Sequence, residues 1–166
     1  MSDNLQRMLQ LVGEVFDTKN DPGQISVSDE ERERLYAIHP ATLTEYVEGD
    51  GPVAWLMGIP TTTAIMQQFI NGDITEKELL NNTPTGVKYE ALYLGSASIL
   101  PEYQRKGLAK KLAMEVINKI RQDNPIKALF TWSFSDAGHA LSEALAKSAN
   151  LPIYERKVSK ALPEQK

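Results

Sequence analysis

Apolar positions at Leu5, Met8, Leu9, Val12, Val15 and Phe16 follow helical spacing and predict an amphipathic helix, with Ser2 or Asp3 available to cap it. Asp17 to Gln24 is rich in turn formers. Ser28 followed by Glu31 reads as a capping box that opens a second, highly charged helix ending near Ala37. Thr42 to Glu48 and PVAWLMGIP, joined through Gly49-Asp50-Gly51, predict a hairpin, because an Asp-Gly pair tolerates the positive φ of tight turns. Two short helical patterns, TTTAIMQQFI and ITEKELL, flank Asn71-Gly72-Asp73 and form an insertion over 61–82.

Tyr89 to Leu100 is apolar and rich in small residues without clean alternation, as in a strand covered on both faces, and Pro101 ends it. Leu108, Leu112, Ala113, Val116, Ile117 and Ile120 then line one face of a helix that Asn124-Pro125 stops. Ile126 to Phe134 predicts a second buried strand. Ser135 or Asp136 caps a helix with apolar Ala137, Ala140, Leu141, Ala144 and Leu145, and Leu151 to Ser159 predicts a final strand. This alternation implies an α/β layer architecture.

Composition narrows the function classes. A chain of 166 residues, 42% hydrophobic, suits one domain over 1–166, with a helical segment at 1–40. With 18 basic against 22 acidic residues, the net charge of -4 supplies no reason to expect a nucleic-acid partner. Having no cysteine excludes disulfides, thiolate metal sites and cysteine nucleophiles. Two histidines far apart in sequence predict no metal site. No apolar run reaches membrane-span length and no signal-peptide pattern is visible, so a cytoplasmic location and no membrane partner are the default expectations.

Candidate chemistry sits in QRKGLA, Gln104 to Ala109, between a strand and a helix. A helix N-terminus presents unpaired N–H groups and the positive end of the macrodipole, so it binds phosphate wherever side chains leave the approach open. Gly107 removes a blocking side chain, Ala109 keeps the next turn slim, and Arg105 and Lys106 add positive charge. Neither the G-x-x-x-x-G-K-[ST] nor the G-x-G-x-x-G spacing is present, which disfavours nucleotide triphosphates and dinucleotides.

The stretch resembles the [QR]-x-x-G-x-[GA] signature of the GNAT superfamily of acyl-CoA-dependent N-acyltransferases, with Gln104, Gly107 and Ala109 at its fixed positions. Ala97-Ser98-Ile99 before Pro101 matches the strand end, and the order of elements follows the family over about 42–158. The resemblance implies a mixed, largely antiparallel sheet flanked by helices, with a V-shaped splay between central strands. It implies acetyl-CoA as co-substrate, held by backbone groups of Ala97 and Ile99 and by Gln104, Arg105, Lys106, Gly107, Leu108 and Ala109. His139 near the start of the last helix would contact the same cofactor.

Catalytic positions depart from the family pattern. Laid on its last-helix motif, Leu145 matches, but Ala146 stands where relatives carry a tyrosine acid and Asn150 where they carry glycine. Tyr154, Tyr103, Ser142 or a water could supply that proton, and a thiol near pKa 8.5 already leaves tolerably well. Tyr93 fills the central-strand position where some relatives keep a glutamate base, and Glu90, three residues earlier, would serve only if a bulge redirected it. An exposed charge at a strand start is the favoured account of Glu90, and packing on a terminal strand that of Tyr154. Asp73, Glu76 and Glu78 in the insertion could attract a cationic amine or form a solvated face.

The expected function is therefore transfer of an acetyl or small acyl group to a primary amine, in a small molecule or peptide, by direct attack in a ternary complex. A non-catalytic acyl-CoA-binding or regulatory module is the rival. A scaffold docking a partner through Leu5 to Phe16 is weaker, and the same stripe leaves a homodimer open.

Overall fold

The computed structural model describes residues 3–16, 29–132 and 136–156. Ser2, the turn-rich segment, Ser28 of the capping box, Ser133 to Ser135 and residues 157–159 of the last expected strand lie outside the described residues. The helices are α1 (Asp3–Phe16), α2 (Asp29–Ile38), α3 (Thr63–Ile70), α4 (Glu76–Asn82), α5 (Leu108–Asp123) and α6 (Asp136–Ala149). The strands are β1 (Leu43–Glu48), β2 (Gly51–Thr61), β3 (Ala91–Ile99), β4 (Ala128–Thr131) and β5 (Ile153–Glu155). They form one mixed sheet in the order β1-β2-β3-β4-β5.

The ladders β1–β2 and β2–β3 are antiparallel and hold most of the paired residues; β3–β4 and β4–β5 are parallel. Helix α5 carries the β3–β4 crossover, as a parallel connection requires. Its buried stripe, Leu112, Ala113, Val116, Ile117 and Ile120, is the one the periodicity predicts. Each leucine, isoleucine or valine of the stripe contributes about 1.5–3 kcal/mol on burial. The helix presses on β2 so closely that a Cβ on Gly58 would lie 2.6 Å from Val116 Cγ1.

The hairpin turn differs in detail from expectation. Glu48 pairs with Gly51, so the central residues are Gly49 and Asp50, and the positive φ of +63° falls on Gly49. That is the position a II′ turn reserves for glycine. Asp50 is thereby freed to cap α1, accepting the N–H groups of Asp3 and Asn4 at 3.2 Å each. His39 follows α2, with its N–H on the Leu35 carbonyl. Its Nδ1 accepts from the Ala41 N–H at 3.0 Å, so its Nε2 donates to Asp123 at 2.8 Å and ties α2 to the end of α5.

Candidate functional site

The parallel pair β3–β4 parts where β4 stops. Leu94 pairs with Thr131, and from Gly95 to Ile99 the strand pairing of β3 among the described residues is with β2. Between the β2 pairs Gly58↔Leu94 and Leu56↔Ala97, one residue on β2 faces two on β3, which makes Gly95 and Ser96 a bulge opposite Met57. A Cβ on Gly95 would come within 2.8 Å of Met57 Cε and 3.1 Å of the Met57 carbonyl oxygen, so the bulge needs glycine there.

Beyond the bulge the backbone alternation fixes what the free edge offers. The Leu100 N–H bonds the Val53 carbonyl at 2.9 Å, turning toward β2. Ile99 and Ala97, one and three residues earlier, therefore turn their backbone groups to the open edge. The Ile99 carbonyl is taken by Gln104 Nε2 at 2.9 Å, which anchors the next loop to the strand end.

That loop ends in a helix start with no side-chain cap. Thr62 caps α3 and Thr75 caps α4, whereas Gly107 stands at the N-cap of α5 in the left-handed conformation, φ +74°. Arg105 also has positive φ, 62°. A Cβ on Gly107 would meet nothing within 4 Å, so no internal packing demands glycine there. Its absent side chain instead permits the backbone turn and leaves the first-turn amides open in front. Arg105 and Lys106 flank this opening, with Lys106 over the Tyr103 ring at 5.7 Å. The residues present thus fit a phosphate-bearing, extended ligand lying along β3 and ending at α5.

On the sheet face away from α5, the insertion builds a second feature. Phe69 of α3 packs edge-on against Tyr93, Phe130 and Trp132, with centroids at 5.0, 5.7 and 6.1 Å. Tyr93 donates its hydroxyl to Glu76 Oε2 at 2.5 Å. Burial, together with the Glu76 charge and hydrogen bond, pushes the Tyr93 phenol well above its ordinary range, with Arg156 opposing. The Arg156 guanidinium stacks between Phe69 and Trp132 at 4.5 and 4.7 Å and bonds the carbonyls of Ile74 and Phe69 at 2.6 and 3.3 Å. Of the three insertion acids, Glu78 closes the capping box with Thr75 and Asp73 is exposed; only Glu76 turns inward.

The remaining candidates are spread out. Glu90 lies just before β3, at the end away from the open edge, ion-paired with Lys127 at 3.3 Å. Tyr154 is half-exposed on β5 beside Phe130. His139 is exposed on α6, with Nδ1 at 2.7 Å from Glu155 Oε1. Ser142 is buried within α6. Among the described residues no group of three His, Asp or Glu side chains converges as metal ligands do, and no helix is long and apolar enough to cross a membrane. Sequence reasoning passed over Arg156: a single arginine after a short strand carries no motif signal.

The family model described as the acetyltransferase (GNAT) family matches residues 14–146. The chain belongs to the GNAT acetyltransferase family. No curated protein sequence matches it. Among solved structures, the loading GNATL domain of CurA from Lyngbya majuscula superposes with TM-score 0.56 at 16% identity, covering 79% of this chain and 59% of that one. An aminoglycoside acetyltransferase, meta-AAC0020, from an uncultured soil metagenomic sample, in complex with trehalose, has TM-score 0.53 at 15% identity over 99% and 91%. The NatB acetyltransferase complex bound to a bisubstrate inhibitor has 0.50 at 16% over 81% and 66%. The chain thus spans less than two thirds of the length of the CurA and NatB chains, and these likenesses speak to fold.

Within the GNAT frame one departure has a conformational explanation. Asn150, at the family's glycine, has φ 57°. Its N–H bonds the Lys147 carbonyl at 3.3 Å while the Leu151 N–H bonds that of Ala146 at 3.0 Å, a Schellman end to α6. Asparagine tolerates this left-handed position next best after glycine.

Proposed function

We propose that this protein transfers an acetyl or small acyl group from acyl-CoA to a primary amine, in a small molecule or peptide, by direct attack in a ternary complex. The observation that carries the reading is the uncapped N-terminus of α5 set beside the unpaired edge of β3. Acyl-CoA, when bound, supplies the activated carbonyl and a stable thiolate leaving group. The chain's own residues do the rest. Backbone groups of Ala97 and the N–H of Ile99 hold the pantetheine arm as an added strand, and the amides of Gln104 to Ala109, with Arg105 and Lys106, hold the diphosphate. His139, exposed on α6, is the further cofactor contact in this reading.

An amine arrives protonated and must lose a proton before attack. Tyr93, held neutral, does not act alone as base. Its hydroxyl donates to Glu76, which supports a role for that carboxylate in taking up the proton through it. Glu90 and Tyr154 are the alternative proton carriers, tested beside it as Glu90→Gln and Tyr154→Phe. A non-catalytic acyl-CoA-binding module is the second reading, favoured by Ala146 at the family's acid position.

Calorimetric titration with acetyl-CoA and desulfo-CoA tests the cofactor site. Saturable binding is expected in wild type and its loss in Gly107→Glu; absence of binding in wild type overturns the reading. Acceptor-dependent release of CoA across an amine panel separates enzyme from binding module, and the cysteine-free chain adds no background thiol.

A further inference from the structure

A second recess lies across the sheet from the open edge. Arg32, Tyr36 and Pro40 on and after α2, with Leu43, Glu45 and Trp55 on β1 and β2, line a cleft of about 300 Å³. Its floor is the buried Trp55, whose indole N–H donates to Glu45 Oε2 at 3.0 Å. Glu45 makes no other hydrogen bond among the described residues, and it is exposed to the cleft's mouth. Tyr36, half-exposed, forms a wall. Arg32 pairs with Asp29 on its own helix, and Glu45 is the acid that lines the recess.

The register relates this cleft to the edge of β3. Glu45 pairs with Trp55, and Trp55 pairs with Ser98. Directly paired residues of antiparallel strands share a face, so these side chains form a row across three strands on the face opposite Gly58 and α5. The row ends on β3, between Ala97 and Ile99, whose backbone groups border the open edge. With strands about 4.8 Å apart, the Glu45 backbone lies roughly 10 Å from that of Ser98.

We propose that this cleft is an acceptor subsite that holds a second cationic group, so that the preferred acceptor is a diamine or polycation whose other amine reaches the open edge of β3. This rests on the acyl-transfer reading. A carboxylate held at the N–H edge of a tryptophan, in a cleft walled by a tyrosine, suits an ammonium through a charge-assisted hydrogen bond with apolar ring surface around it. A neutral or singly charged amine gains nothing there.

Two measurements test it. In a Trp132→Phe background Trp55 is the sole tryptophan, and its emission is followed during titration with hexamethylenediamine or hexylamine, which differ by one ammonium. A saturable change is expected with the diamine, at least about tenfold weaker with hexylamine and in Glu45→Gln. Equal responses to both amines, or none, overturn the subsite whether or not the protein proves to be an enzyme. In turnover, Glu45→Gln is expected to raise KM for the diamine about tenfold with kcat within about twofold and the acetyl-CoA titration unmoved, while Glu45→Asp recovers part of the loss and Glu33→Gln on exposed α2 surface changes nothing. Wild-type turnover with an unchanged diamine KM in Glu45→Gln overturns the subsite alone; no turnover with any amine overturns the transferase reading and leaves the fluorescence result to decide the cleft.

Discussion

Gly107 does two things through one missing side chain: it takes a left-handed φ and it leaves the α5 amides uncovered. The two separate by substitution. Gly107→Ala is expected to lower stability by about 1 kcal/mol, the left-handed penalty, because its Cβ meets nothing. Any larger loss in acetyl-CoA affinity measures the open approach, so urea unfolding and calorimetry on the same sample tell them apart. Tyr93→Phe removes the hydroxyl that bonds Glu76 and is expected to cost about 1 kcal/mol in urea unfolding. The glycine and its basic flank were legible from QRKGLA, since local backbone chemistry depends on neighbours in the chain. Glu76 on Tyr93 and Arg156 on Phe69 were not, because those partners lie 17 and 87 residues apart and meet only through packing.

Helices and strands were legible wherever one period dominated over a dozen residues, as in α1 and α5, and their ends shifted where partners from elsewhere intervened. Asp50 of the hairpin accepts the first N–H groups of α1, and Arg7 grips Glu102 through two bonds of 2.6 and 2.7 Å. That pair ties α1 to the turn just before the Gln104–Ala109 loop. Its Arg7 partner holds the Glu102 carboxyl down at about 2. A depressed carboxylate stabilises above its unfolded value of 4.5 and loses that contribution as pH falls through about 2, so the contact is expected to survive at pH 4. A Glu102 side-chain carboxyl resonance titrating near 4.5 would refute the contact. Being exposed, the pair acts mainly on position rather than stability. The insertion offers a sharper element-scale test. Arg156→Ala removes the donor to Phe69 and Ile74, and amide exchange is expected to quicken across 63–82 while α5 stays protected.

For the whole molecule, ligand linkage joins fold and function. Acetyl-CoA at a hundred times its Kd is expected to stabilise the folded state by about 2.7 kcal/mol, raising Tm by several degrees, and to do so far less in Gly107→Glu. At the alkaline limit, Tyr93 keeps its proton in the fold while the unfolded chain releases it above about pH 10, so stability is expected to fall as pH rises past that point and to fall less in Tyr93→Phe. Either trend is read from denaturation midpoints. Taken alone, the chain determined its periodic elements, its mixed α/β class and the glycine loop at α5, because each depends on residues within a few positions. Tertiary structure alone decided where β4 abandons β3, which insertion acid turns inward, and that Glu45, Trp55 and Ser98 fall in one row. Those outcomes depend on strand register and on packing between distant segments, which no local pattern encodes.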